Sequence, residues 1–153
     1  METKLSTALA DQIRKETGEN VFLCYQCVKC TSGCPLAEHF DLVPNQVMRA
    51  AQLGMEDRIF TSRTPWLCAS CQTCTTRCPQ GIDVARVMDF IVGEEIKRGI
   101  KPALPNIALF NKVFLRDVDL LGRLYELGLM AEVDLRNWTI VRDIPLAIAL
   151  LGK

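Results

Sequence analysis

All eight cysteines of the chain fall into two copies of one spacing, Cys24, Cys27, Cys30 and Cys34 followed by Pro35, then Cys68, Cys71, Cys74 and Cys78 followed by Pro79. Each copy reads C-x2-C-x2-C-x3-C-P. In that run three thiolates hold one [4Fe-4S] cluster and the fourth crosses to hold another. The expected ligand sets are therefore Cys24, Cys27, Cys30 and Cys78 for one cluster, and Cys68, Cys71, Cys74 and Cys34 for the other. Eight ligands saturate two cubanes, so no iron keeps an open position at which a substrate could bind. A saturated centre carries electrons, whereas a catalytic metal needs that opening.

Two other uses of eight cysteines compete with this reading. Four disulfides belong to short secreted scaffolds, and the N-terminal METKLSTALADQIRKETGEN has no apolar signal-peptide core. Two all-thiolate structural zinc sites are the stronger rival, because a C-x2-C pair is also half of a zinc knuckle. Three thiols at every third residue, closed by a Cys-Pro step and repeated intact, suit the corner of a cubane better than a tetrahedral half-site. His39, the single histidine, reads as a surface or helix-end residue beside so many thiolates. Lys29 and Arg77 lie inside the runs, either as cations that favour a reduced cluster or as solvated side chains. Gly33 and Gly81 are expected to allow tight turns that aim N–H groups at cluster sulfurs, and Pro35 and Pro79 to end the loops.

The elements that must position these runs read as helices. PNQVMRAAQLG, from Pro44 to Gly54, begins with a proline suited to a first turn and ends with a glycine suited to a C-cap, with Val47, Met48 and Ala51 on one face. Asp83 is the expected N-cap of a second helix, whose stripe is Val84, Val87, Met88, Ile91, Val92 and Ile96 and whose end is Gly99. Residues 5–16 carry Leu5, Leu9 and Ile13 in a leading helix that Gly18 terminates. Beyond Pro102 and Pro105, helices are expected near 106–116 and 119–130, the latter rich in leucine. No alternating strand pattern stands out. The fold is expected to be mostly α, with two pseudo-symmetric cluster-binding halves. Its organisation is a leading helix in 1–19, a cluster domain in 20–99 and a helical docking arm in 100–153.

At 153 residues and 49% hydrophobic content the chain can bury a core. Its 18 basic residues balance its 18 acidic ones, which removes the electrostatic case for nucleic acid or an anionic membrane. The C-terminal IPLAIALLGK is far too short to span a bilayer. A cytoplasmic protein with no membrane span is expected, since thiolate clusters suit a reducing compartment.

CYQCVKCTSGCP, VPNQVMRAAQLG and WLCASCQTCTTRCPQGIDVARVMD together resemble the small two-cluster C subunit of heterodisulfide reductase, as does FNKVFLRDVDLLGRLYELGLM in the arm. The resemblance implies an α-helical ferredoxin fold with two [4Fe-4S] clusters. It further implies a non-catalytic electron-transfer component of an oxidoreductase complex of methanogenesis. Such a component relays electrons from a flavin-containing, iron–sulfur subunit to a cysteine-rich catalytic subunit that reduces the disulfide between coenzyme M and coenzyme B. Hydrogenase or formate dehydrogenase subunits are further partners of this type. Bacterial relatives use similar subunits for other thiol, disulfide or sulfur chemistry, which is the alternative function. Iron–sulfur subunits of succinate dehydrogenase differ in placing a plant-type cysteine set first, and no cysteine here precedes Cys24. Glycolate oxidase subunits fuse similar motifs to cysteine-rich catalytic domains, whereas no cysteine here follows Cys78.

Overall fold

Local signals set most helix ends. The computed structural model describes residues 8–137, which puts Leu5 and the C-terminal IPLAIALLGK outside the described residues. Helix α1 (Ala8–Thr17) buries Leu9, Ala10 and Ile13, and Gly18 leaves it at φ +81°. Helix α3 (Pro44–Gln52) has proline at its first turn, and the Gln46 side chain accepts a hydrogen bond from the Val43 amide at 3.2 Å. Helix α7 (Val84–Lys97) is capped by Asp83, whose side chain accepts from the Arg86 amide at 2.9 Å.

Between these lie short turns, two of which carry a cysteine each, Cys30 and Cys74. They are α2 (Lys29–Ser32), α4 (Glu56–Phe60), α5 (Thr64–Leu67) and α6 (Thr73–Thr76), with 3₁₀ turns at Val21–Leu23 and Ala37–His39. Among the described residues there is no strand, and the fold is mostly α, as the sequence implied. His39 is exposed at the end of its turn.

The chain divides into two units at Ala103 and Leu104. In the first unit α1 packs on α3 and α7, α2 on α6, and α5 on α7. Leu9, Ile13, Val47, Met48, Val87 and Ile91 form its centre, with Cys30 at the edge and Cys24, Cys68, Cys74 and Cys78 packed against it. Burying side chains of this kind contributes about 1.5–3 kcal/mol each. The core therefore ends where the thiols begin. Ile96, expected on the buried stripe of α7, is 63% exposed, because the last turn packs through the face that carries the buried Glu94 and Glu95 instead.

Asp41 joins the two halves of this unit. It accepts from Ser62 Oγ at 2.7 Å, the Arg63 amide at 2.9 Å and Thr64 Oγ1 at 2.9 Å, so a residue behind the first cysteine run caps the turn that leads into the second. Burial opposes its charge, but these bonds and those from the Leu42 and Thr64 amides win and hold its carboxyl well below the usual range. On α7, Glu95 is fully buried and accepts from Trp66 Nε1 at 2.6 Å, and burial pushes its carboxyl upward.

The second unit contains α8 (Pro105–Leu121) and α9 (Glu126–Asn137), which pack on each other. The expected break near residues 116–119 is absent. Helix α8 runs on to Gly122, whose φ of +68° supplies the reversal, since nothing in RDVDLL stops a helix earlier. Glu132 pairs with Arg116 and, at 2.9 Å, with Arg136. Val113 and Leu129 are the buried apolar residues described here, while Leu115, Leu120, Leu121 and Leu127 are all exposed.

Candidate metal centre

Each cysteine run is a loop, a single helical turn and a second loop. The first two loop segments take an unusual backbone. Gln26 and Val28 lie at φ +62° and +65°, and their counterparts in the second run, Ser70 and Gln72, at +45° and +62°. None of the four is glycine. A β-branched valine in this region is a genuine outlier, and such residues cost about 1–3 kcal/mol and gather at functional sites. Val28 and Gln72 are left-handed directly before a right-handed helical turn, a combination that can gather successive N–H groups into a concavity that attracts anions. The two runs therefore share a strained backbone as well as a spacing.

Polar side chains pin both loops to the helix that follows. In the first run Thr31 Oγ1 donates to Asn45 Oδ1 at 2.7 Å, and Asn45 Nδ2 donates to Gln26 Oε1 at 3.3 Å. In the second, Thr75 Oγ1 donates to Asp83 Oδ1 at 2.8 Å and Ser70 Oγ to Asp89 Oδ1 at 3.0 Å. Thr31 matches Thr75 and Gln26 matches Ser70, so the pseudo-symmetry extends to the supports. From the far end of α3, Gln52 Nε2 donates to the carbonyls of Val21 at 2.9 Å and Cys24 at 2.8 Å. Asn45 and Gln52 look like solvent-facing positions in the helical pattern. Their role depends on contacts that no spacing reveals.

Cys24, Cys27, Cys30 and Cys78 line one cavity, together with Met48, Ile82 and other mostly apolar groups. Three of these thiols come from the first run and one from the second. Two N–H groups point at its sulfurs, Gln26 Nε2 to Cys24 at 3.3 Å and the Ile82 amide to Cys78 at 3.4 Å. Hydrogen bonds to sulfur are among the features that set a cluster's potential. In the second run, burial raises the Cys68 thiol and the negative charge of Cys74, Asp89 and Cys34 adds to it. Cys34 is thus within electrostatic reach of the second run. Burial likewise raises Cys30 and Cys74, whereas Thr73 lowers the exposed Cys71 by hydrogen bonding.

All eight cysteines are free thiols. The four around the cavity ring a space instead of converging on a point. Among the described residues no three His, Cys, Asp or Glu approach closely enough to hold a single ion. An all-thiol rim, apolar walls and N–H donors aimed at sulfur fit a [4Fe-4S] group, whose corners lie on separate irons. The residues present therefore suit the implied cofactor.

Gly33 departs from expectation. Its φ is −102°, an ordinary right-handed value, so no left-handed turn calls for glycine there. The reason is room, because the Arg77 side chain lies across it. Gly81, at φ +66°, does supply the expected turn. Lys29 is exposed on α2.

Comparison with known proteins agrees with the geometry. Residues 23–83 match a 4Fe-4S dicluster domain. The chain is 35% identical over 66 residues to a protein of Archaeoglobus profundus named as similar to the C subunit of heterodisulfide reductase, a stretch covering 42% of this chain and 35% of that protein. It is 30% identical over 90 residues to the C subunit of the H(2):CoB-CoM heterodisulfide,ferredoxin reductase of Methanothermobacter marburgensis, covering 59% of this chain and 49% of that one. The same subunit of Methanothermobacter thermautotrophicus is 29% identical over 90 residues. The chain spans half or less of the length of these curated relatives. Together these findings support an iron–sulfur electron-transfer role. Among the described residues no helix is long and apolar enough to cross a membrane.

Proposed function

We propose that the chain is an electron-transfer component of a heterodisulfide-reductase-type complex and performs no bond-making chemistry itself. Cys24, Cys27, Cys30 and Cys78 would hold one [4Fe-4S] cluster, and Cys68, Cys71, Cys74 and Cys34 the other. The observation that carries this reading is the presence of Cys78 in the cavity rimmed by the first three thiols of the first run. Such clusters supply one-electron storage at potentials set by charge, burial and hydrogen bonds to sulfur. This chain's part is to fix the thiols through Asn45, Gln52, Asp83 and Asp89, to wall off water with Met48 and Ile82, and to donate N–H bonds to sulfur. Phe22, Leu23, Tyr25 and Val28 are exposed around the exposed Cys27, which offers a neighbour close approach to the first cluster.

In this reading the donor is a flavin-containing subunit and the acceptor a cysteine-rich subunit that reduces the coenzyme M–coenzyme B heterodisulfide. The names of the relatives support only the heterodisulfide reductase part of that reading. A cytoplasmic complex, with hydrogenase or formate dehydrogenase subunits as further partners, follows from the same reading.

The second unit serves as the docking arm. Among its described residues Leu115, Leu120, Leu121 and Leu127 are exposed, and an electron relay needs lasting apolar contact to keep its paths short. Truncation after Ala103 tests this. The shortened chain should keep its iron and its visible absorption yet fail to co-purify with the cysteine-rich subunit. Loss of iron, or an intact complex, would refute the docking role.

A further inference from the structure

The two runs are not equivalent at the residue before their last cysteine. Gly33 stands before Cys34 and Arg77 before Cys78. These positions correspond in the repeat, and they meet in space, because α2 packs on α6 and the Arg77 side chain covers Gly33. A Cβ at position 33 would lie 2.8 Å from the Arg77 Cδ and 3.0 Å from its Cζ, and would run into its Nη1 as well. Only one of two facing positions can carry bulk, and the chain spends that space on a cation.

We infer that Arg77 is a shared electrostatic tuner of the two clusters, and that Gly33 is the clearance which lets it reach both. This rests on the cluster reading proposed above. Arg77 precedes Cys78 in the chain, and its side chain lies against Gly33, which precedes Cys34. Those are the two cysteines that cross between the runs. The guanidinium thus belongs to the residue before one exchanged ligand and lies against the residue before the other. Among the described residues no carboxylate forms an ion pair with this exposed side chain. A reduced centre carries one more negative charge than an oxidised one, and a nearby cation favours it. Arginine suits the task because its charge is never lost to deprotonation. Lys29 and Arg77 are both exposed, and it is the Arg77 side chain that lies across the other run's glycine.

The test is a redox titration of the anaerobically reconstituted full chain, followed by electron paramagnetic resonance of each cluster. Arg77→Gln should lower the reduced-to-oxidised ratio of both clusters at a fixed poise by about threefold to tenfold, tenfold being a 59 mV shift for a one-electron couple. Arg77→Lys should restore most of the shift. Gly33→Ala keeps every charge, but the atoms in its way are the far end of a flexible side chain. It should push the guanidinium aside and shift both clusters in the same direction, by less. Lys29→Gln should move at most the cluster of its own run. Unchanged potentials in Arg77→Gln and Gly33→Ala, or a shift confined to one cluster, would overturn the inference while leaving the clusters intact. A wild-type chain with no iron–sulfur signal would overturn the cluster reading and this inference with it. If Arg77→Gln fails to hold clusters, Gly33→Ala alone decides.

Discussion

Cys78→Ser should damage the cluster held by Cys24, Cys27 and Cys30, far from it in sequence, and spare the spectrum of the cluster nearest the mutation. The cause is the placing of Cys78 in the cavity of the first run. A serine there removes a soft thiolate ligand and also the sulfur that accepts from the Ile82 amide at 3.4 Å. Reconstituted Cys78→Ser should lose up to about half its iron, with resonance from the remaining cluster unchanged. Cys34→Ser should give the opposite pattern. Damage confined to the nearer run in both variants would show that each run is self-contained and that the crossed assignment is wrong.

Asp41→Ala should destabilise the fold by about 2 kcal/mol after allowance for the exposure of the site. The loss has a structural route, because Asp41 accepts from Ser62, the Arg63 amide and Thr64 in the segment that leads into Cys68. Its carboxyl is held below the ordinary aspartate range, so the native state binds fewer protons than the unfolded state there. The contribution is therefore complete above the unfolded value and is lost as the pH falls through and below it. Denaturant midpoints followed by cluster absorption should fall in Asp41→Ala at neutral pH, and Asp41→Asn should lose the acid-dependent part. A variant as stable as the wild type at neutral pH would remove Asp41 from this role.

Features that need only neighbouring residues could be read in the sequence. Cysteine spacing pointed to the cluster runs. Pro44 and Asp83 marked the starts of α3 and α7, and Val47, Met48, Val87 and Ile91 their buried faces. Local patterns end where tertiary contacts take over. Val28 at positive φ contradicts its own backbone preference, and only the shape demanded of the loop explains it. Asn45 and Gln52 sit where a polar helix face is expected, and their partners lie up to 31 residues away. Asp41 is one acidic residue in a loop until the chain brings Ser62 and Thr64 to it. Gly33 suggested a turn, but its neighbour in space sets the requirement. The matched use of positions 26 and 70 could have been suspected from the repeat itself, since matched loops tend to need matched supports.

Whether the eight thiols hold two [4Fe-4S] clusters is tested most directly by metal and sulfide analysis of the anaerobically purified chain. About eight iron and eight acid-labile sulfide per chain are expected, with brown iron–sulfur absorption. A chain carrying mainly zinc, with little or no sulfide, would contradict the cluster assignment.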